Sequence, residues 1–159
     1  ASFALSPPLA EEAGLANAFK RVRAWPETAQ ALAQAVERTG ADALVFDNRN
    51  DFHQMQRYGG AIEADLYMWL RYASAQNHAE DGWPLPADYP GLMLVASERP
   101  REIPLISQDF QRFEPAGEIA LPLGGGRERR YVLFLAEGHE RLARDAAYEA
   151  AAARRDALE

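Results

Sequence analysis

The stretch Ala41–Gly60 constrains the fold more than any other part of the chain. Ala43-Leu44-Val45-Phe46 is a short continuous apolar run, and it ends abruptly at Asp47-Asn48-Arg49. Phe52, Met55 and Tyr58 then recur at roughly helical spacing before Gly59-Gly60. A run apolar on both faces and then a three-to-four residue period is the pattern of a buried strand feeding a helix through a polar turn. Open α/β sheets bind ligands beyond the carboxyl ends of their strands. Asp47, Asn48 and Arg49 therefore stand where binding or chemistry is expected.

The rest of the chain extends that unit into an α/β domain. Ala1–Pro8 reads as an irregular lead-in, and Leu15, Phe19 and Val22 mark one face of a helix from about Leu9 to Ala24. Pro26 suits the first turn of a second helix, where its missing N–H costs nothing. Ala29, Leu32, Ala33 and Val36 give that helix its apolar stripe, and Gly40 closes it. In Ile62–Tyr72, Leu66, Met68 and Leu70 alternate with Asp65, Tyr67, Trp69 and Arg71, which predicts a strand parallel to the first through a βαβ crossover. Ala73–Pro90 reads as a long loop, a feature often functional in a compact domain. Leu92–Ala96 is a second buried strand, and Pro104–Phe110 a short helix.

Phe113–Leu123 and Arg129–Ala136 flank Gly124-Gly125-Gly126, which predicts an antiparallel hairpin. Tyr131–Leu135 is apolar on both faces and belongs in the sheet interior. Pro115 and Pro122 interrupt hydrogen-bond ladders, so their strand belongs at an edge. His139–Glu159 reads as a helical tail with a thin apolar stripe of Leu142 and Tyr148, docking lightly or fraying. The expected architecture is a single-domain mixed sheet over residues 1–159, with a parallel βαβ start and an antiparallel C-terminal hairpin, flanked by helices. At 159 residues the chain buries enough surface to need no disulfide or metal staple.

Composition excludes several functions. A formal net charge of -7 disfavours nucleic acid and anionic membrane surfaces, both of which call for a basic face. There is no cysteine, so thiol catalysis, thiolate metal sites and disulfides are excluded. Lys20 is the only lysine; the scattered arginines fit a compositional bias better than a designed set of anion-binding forks. No apolar run approaches the ~18 residues of a transmembrane helix, and no signal peptide is visible. Ala1 in place of Met fits an excised or processed piece of something longer.

The histidines His53, His78 and His139 show no metal-ligand spacing. His53 reads as a surface helix residue and His139 as the solvated or capping start of the terminal helix. Asn77, His78, Glu80 and Asp81 cluster on the long loop, where they suit a hard cation, a sugar hydroxyl, or simply a polar surface. Asp47–Asp51 lacks the glycine and distal glutamate of a calcium loop. Asn48 or Asn50 suits the N-cap of the following helix, with contact to a ligand by Asp47 or Arg49 as the other reading. Gly124–Arg127 has β-rich runs on both sides and so lacks the helix N-terminus of a phosphate loop.

The order of elements carries a resemblance. Ala41–Asp47 leads into a helix ending at Tyr58; Asn77-His78 and Asp81 follow in a loop; Pro90–Val95 forms a strand; Tyr131–Phe134 closes a hairpin. Over about Ala24–Gly138 this resembles the soluble C-terminal domain of membrane glycosyltransferases related to dolichyl-phosphate-mannose–protein mannosyltransferases and lipid A aminoarabinose transferases. The resemblance implies a polyprenyl-phosphate sugar donor and a catalytic carboxylate near membrane spans that this chain does not contain. It implies an extracytoplasmic (periplasmic) appendage at the inner membrane, without catalytic residue, metal or cofactor of its own. Its partner would be the membrane-embedded part of the same polypeptide, together with the lipid-linked sugar or the acceptor. The strand-end and loop positions, not the resemblance, single out Asp47, Asn48, Arg49, Asn77, His78 and Asp81 as candidates for ligand contact. The alternatives are a free-standing α/β ligand-binding domain or hydrolase using those loops, and a protein-interaction domain docking through Trp83–Tyr89.

Overall fold

The computed structural model describes residues 24–157. The expected lead-in Ala1–Pro8 and almost all of the first expected helix lie outside the described residues. Residues 24–39 are helical (α1), so Ala24 and Trp25 already belong to the helix that carries Pro26. The elements that follow are β1 (Ala43–Phe46), α2 (Arg49–Tyr58), β2 (Asp65–Met68), α3 (His78–Gly82), β3 (Met93–Ser97), a 3-10 turn (Pro100–Glu102), α4 (Ile103–Ser107), β4 (Phe110–Gly124), β5 (Arg127–His139) and α5 (Ala146–Asp156). One five-stranded sheet runs in the order β2-β1-β3-β5-β4. β1 pairs parallel with both β2 and β3, while β3–β5 and β5–β4 are antiparallel. The mixed α/β architecture expected from the sequence is therefore the one observed.

The sheet is covered on both faces, because successive strand residues point to opposite sides. Leu44, Phe46, Leu94, Ala96, Tyr131 and Leu133 pack with α1 and α2 through Leu32, Val36, Phe52 and Met55. Val45, Met93, Val95 and Ala136 pack with α4 and α5 through Leu105, Ile106, Tyr148 and Ala152. β1 and β3 are buried along their whole length, which is why both read as unbroken apolar runs.

Several boundaries differ from the sequence reading. The alternation over Ile62–Tyr72 yields only the four-residue strand Asp65–Met68, because β1 offers only Ala43–Phe46 as pairing partners. The free edge of β2 is then covered: the amide of Met68 donates to Trp83 O (2.8 Å) and that of Leu85 to Met68 O (2.9 Å). The loop Ala73–Pro90 contains the single-turn helix α3. Phe110 does not end a helix; it opens β4, after α4 has stopped at Ser107.

Both hairpin strands extend beyond the predicted spans and turn at Gly124-Gly125-Gly126, all three at positive φ. β4 is the sheet edge, and its register slips between Pro115 and Gly117 and again between Pro122 and Gly124. Those two prolines mark the interruptions, as an edge strand tolerates. His139 does not begin the terminal helix; it ends β5, buried, with Nδ1 2.6 Å from Pro86 O and its ring on Phe110. The tail is helical only over Ala146–Asp156, and Leu142 is exposed instead of packing.

The tail docks through polar contacts as well as Tyr148 and Ala152. Asp109 is fully buried. Its carboxylate accepts from Trp69 Nε1 (2.7 Å), the amide of Leu142 (2.8 Å) and both terminal nitrogens of Arg144 (2.8 and 2.5 Å). The Arg144 guanidinium lies 4.2 Å from the centroid of the Tyr148 ring. No described helix is long and apolar enough to cross a membrane.

Candidate functional site

The sheet order creates the site. From β1 the chain crosses to β2 on one side and returns to β3 on the other, so the β1/β3 carboxyl ends form a topological switch point. The register Phe46↔Ala96 sets Asp47 beside Ser97 at the two strand ends. A cleft of about 400 Å³ opens there, lined by Asp47, Asn48, Arg49, Asn50, Trp69, Arg71, Tyr72, Gln76, Asn77, Glu80, Arg99 and Glu102. A larger hollow of about 800 Å³ runs along α1 and the end of α2, lined by alanines and by Gln30, Gln34, Glu37, Tyr58 and Glu63, without a base or a histidine among them.

Asp47 anchors the cleft. Its Oδ2 accepts the Ser97 hydroxyl proton at 2.6 Å, and Ser97 Oγ in turn accepts from the amide of Arg99 at 3.0 Å. The other oxygen, Oδ1, is shut off from solvent without a hydrogen-bond partner. Burial pushes the Asp47 carboxyl up to about 6, against the opposing pull of the Ser97 hydrogen bond and the Arg99 charge. Asn48 caps α2: its Oδ1 accepts from the amides of Asn50 (2.8 Å) and Asp51 (3.2 Å). That satisfies two of the helix's free N–H groups. Arg49, the first helical residue, is exposed at the mouth of the cleft.

The opposite wall comes from the short helix α3. Asn77 Oδ1 accepts from the amide of Glu80 at 2.9 Å, and Asn77 Nδ2 donates to Glu80 Oε2 at 2.6 Å. The amide of Gln76 donates to the same carboxylate at 3.3 Å. A cap residue and the acid three positions on satisfy each other, the logic of a capping box. Asn77 thus faces the cleft already fixed by its own helix.

Below the cleft lies a second buried acid. Asp51 accepts the Tyr131 hydroxyl proton at 2.9 Å, and its carboxyl faces that of Glu98. Burial, reinforced by the neighbouring charge of Glu98, holds its carboxyl far above the ordinary range.

Of the six residues singled out from sequence, the cleft unites Asp47, Asn48, Arg49 and Asn77. His78 and Asp81 also lie on α3, but both are exposed and neither lines the cleft. No described group of three or more acids or histidines is arranged to hold a metal ion, so the hard-cation reading of the Asn77–Asp81 cluster finds no support among the described residues. Around Trp83–Tyr89, Trp83 is 43% exposed but leans on Phe52, and Tyr89 is half-buried against Tyr67.

Sequence reasoning missed Ser97, Arg99, Arg71 and Glu102. Glu102 is buried, with Arg71 Nε at 3.3 Å and Arg101 Nε at 3.9 Å. These residues come from segments up to 55 positions from Asp47, with no shared local spacing to reveal them. The one usable signal was a polar Ser97-Glu98-Arg99 following an apolar run, the same pattern that drew attention to Asp47-Asn48-Arg49. Comparison with family models, curated proteins and solved structures finds no match for this chain.

Proposed function

We propose that this chain is the extracytoplasmic domain of a membrane-embedded glycosyltransferase that uses a polyprenyl-phosphate sugar. In this reading it covers the enzyme's cleft or positions the acceptor, and the catalytic carboxylate belongs to the membrane part. One observation carries the reading: Asp47–Arg49 and Asn77, which belong to two separate segments of the resemblance, line one cleft at the strand switch point. The parent reading frame is expected to encode many apolar spans of ~20 residues upstream of Ala1. Excising this domain from the parent is expected to abolish or misdirect sugar transfer. A short frame without such spans, or undiminished transfer after excision, would overturn the proposal.

A free-standing ligand-binding domain or hydrolase is the second reading, favoured by the elevated Asp47 carboxyl in a cleft. For a hydrolase the arrangement is poor. Asp47 is engaged by the fully buried Ser97, and His78 lies outside the cleft.

A further inference from the structure

The geometry points to the switch-point cleft as a binding site for an uncharged polyol, such as a single hexose ring. Asp47 and Glu102 would accept its hydroxyl protons, and Asn77 and the rim arginines would donate to its oxygens. The inference uses the same cleft as the proposed function but does not depend on a membrane-embedded parent.

Three observations support it. The first is unspent acceptor capacity. Glu102 is 2% exposed, and neither of its oxygens accepts a hydrogen bond, although Arg71 lies 3.3 Å from one oxygen and Arg101 3.9 Å from the other as ion-pair partners. Asp47 Oδ1, in the same cleft, is equally shut off from solvent and unbonded. Buried oxygens are nearly always satisfied, so each exception in a native protein asks for a partner or a role. Two such carboxylates in one cleft call for a partner rich in O–H or N–H groups.

The second observation is charge. The cleft wall carries the acids Asp47, Glu80 and Glu102 and the bases Arg49, Arg71 and Arg99. Equal numbers of fixed charges leave no field that favours a strong anion or cation. A phosphate would also meet Asp47 and Glu102 at close range, which costs free energy. A neutral ligand bearing both donors and acceptors meets no such penalty.

The third is shape. About 400 Å³ lies at the small end of the ~300–1,000 Å³ typical of small-molecule sites. Trp69 borders the cleft but is only 3% exposed and held by Asp109, so the aromatic surface comes from Tyr72, which is 38% exposed and whose hydroxyl accepts from Arg71. Such a ring offers an apolar face to sugar C–H groups while its polar end remains satisfied.

The test is a backbone amide NMR titration of the 159-residue chain with D-glucose, D-mannose and inorganic phosphate in parallel. The expected result is saturable shifts with at least one sugar at Asn48, Asn77, Ser97 and Arg99, and none there with phosphate. Asp47→Asn, which keeps an acceptor for Ser97, is expected to weaken sugar binding about tenfold, the usual loss of a hydrogen bond to a charged group. Glu102→Gln is expected to do the same; should it fail to fold, the Asp47→Asn titration decides. Shifts with phosphate alone, no saturable shift with either sugar, or an unchanged affinity in Asp47→Asn would each overturn the inference. A parent frame without membrane spans would remove the proposed function and leave this result standing.

Discussion

Asp109→Ala is expected to cost about 3–5 kcal/mol of folding free energy, a large share of the ~5–15 kcal/mol available to a domain. The carboxylate is completely buried and holds four donors at once: the Trp69 indole, the Leu142 amide and two Arg144 nitrogens. Removing it leaves the Arg144 guanidinium, whose side chain is 3% exposed, without its counter-charge. It also strands a buried indole N–H. The loss should reach the site, because Trp69 lines the cleft on its other side and Arg144 ties the tail to Leu70 O at 2.7 Å. Urea denaturation of the variant and the parent at neutral pH measures the cost. A loss under ~1 kcal/mol would mean the pair contributes little and the tail is held by its other contacts, the packing of Tyr148 and Ala152 and the bonds of Arg71 to Ala152 O and Asp156.

The second large effect is a dependence on pH. Asp47 and Asp51 have folded-state values raised above the ordinary carboxylate value of 3.8. Between the unfolded and folded values, the native protein holds a proton that the unfolded chain has released. Stability therefore falls as pH rises through that window. For Asp47 the window runs from 3.8 to about 6, and at 1.36 kcal/mol per unit the loss is on the order of 3 kcal/mol. Asp51, buried and facing Glu98, carries the decline to higher pH. Asp51→Asn preserves an acceptor for Tyr131 and cannot ionise. Its stability relative to the parent should therefore be small at pH 4 and grow steadily toward pH 8. Denaturation at a series of pH values reads this difference directly, and a difference independent of pH would show that Asp51 does not titrate upward in the folded state.

The strand–turn–helix of Ala43–Tyr58 was legible in the sequence because two periodicities meet there within a few residues. The glycine turn of the hairpin and the edge position of the proline-bearing strand were legible too, since each follows from backbone constraints that need no partner. α3 was hidden in a predicted loop. A five-residue helix shows no amphipathic period, and only the Asn77–Glu80 capping pair betrays it. The C-terminal segment was misread for a related reason: alanine and arginine content suggests helix, but residues 140–145 are irregular, with Leu142 and Arg144 bonded to Asp109, and the helix begins only at Ala146. Half of the cleft was legible, because Asp47–Arg49 follow a recognisable strand. The other half was not. Arg71, Arg99 and Glu102 reach it only through the order β2-β1-β3, and that order is a product of tertiary packing.

The most direct measurement is a carboxyl-carbon NMR titration of Asp47 in the intact chain, without and with saturating D-glucose or D-mannose. A midpoint near 6 is expected without sugar, set by burial at the strand switch point. With a bound sugar the midpoint should be lower, because hydroxyl donors favour the ionised carboxylate. A midpoint near 4 in the free chain, or one that does not move in either sugar, would contradict a buried, sugar-accepting Asp47.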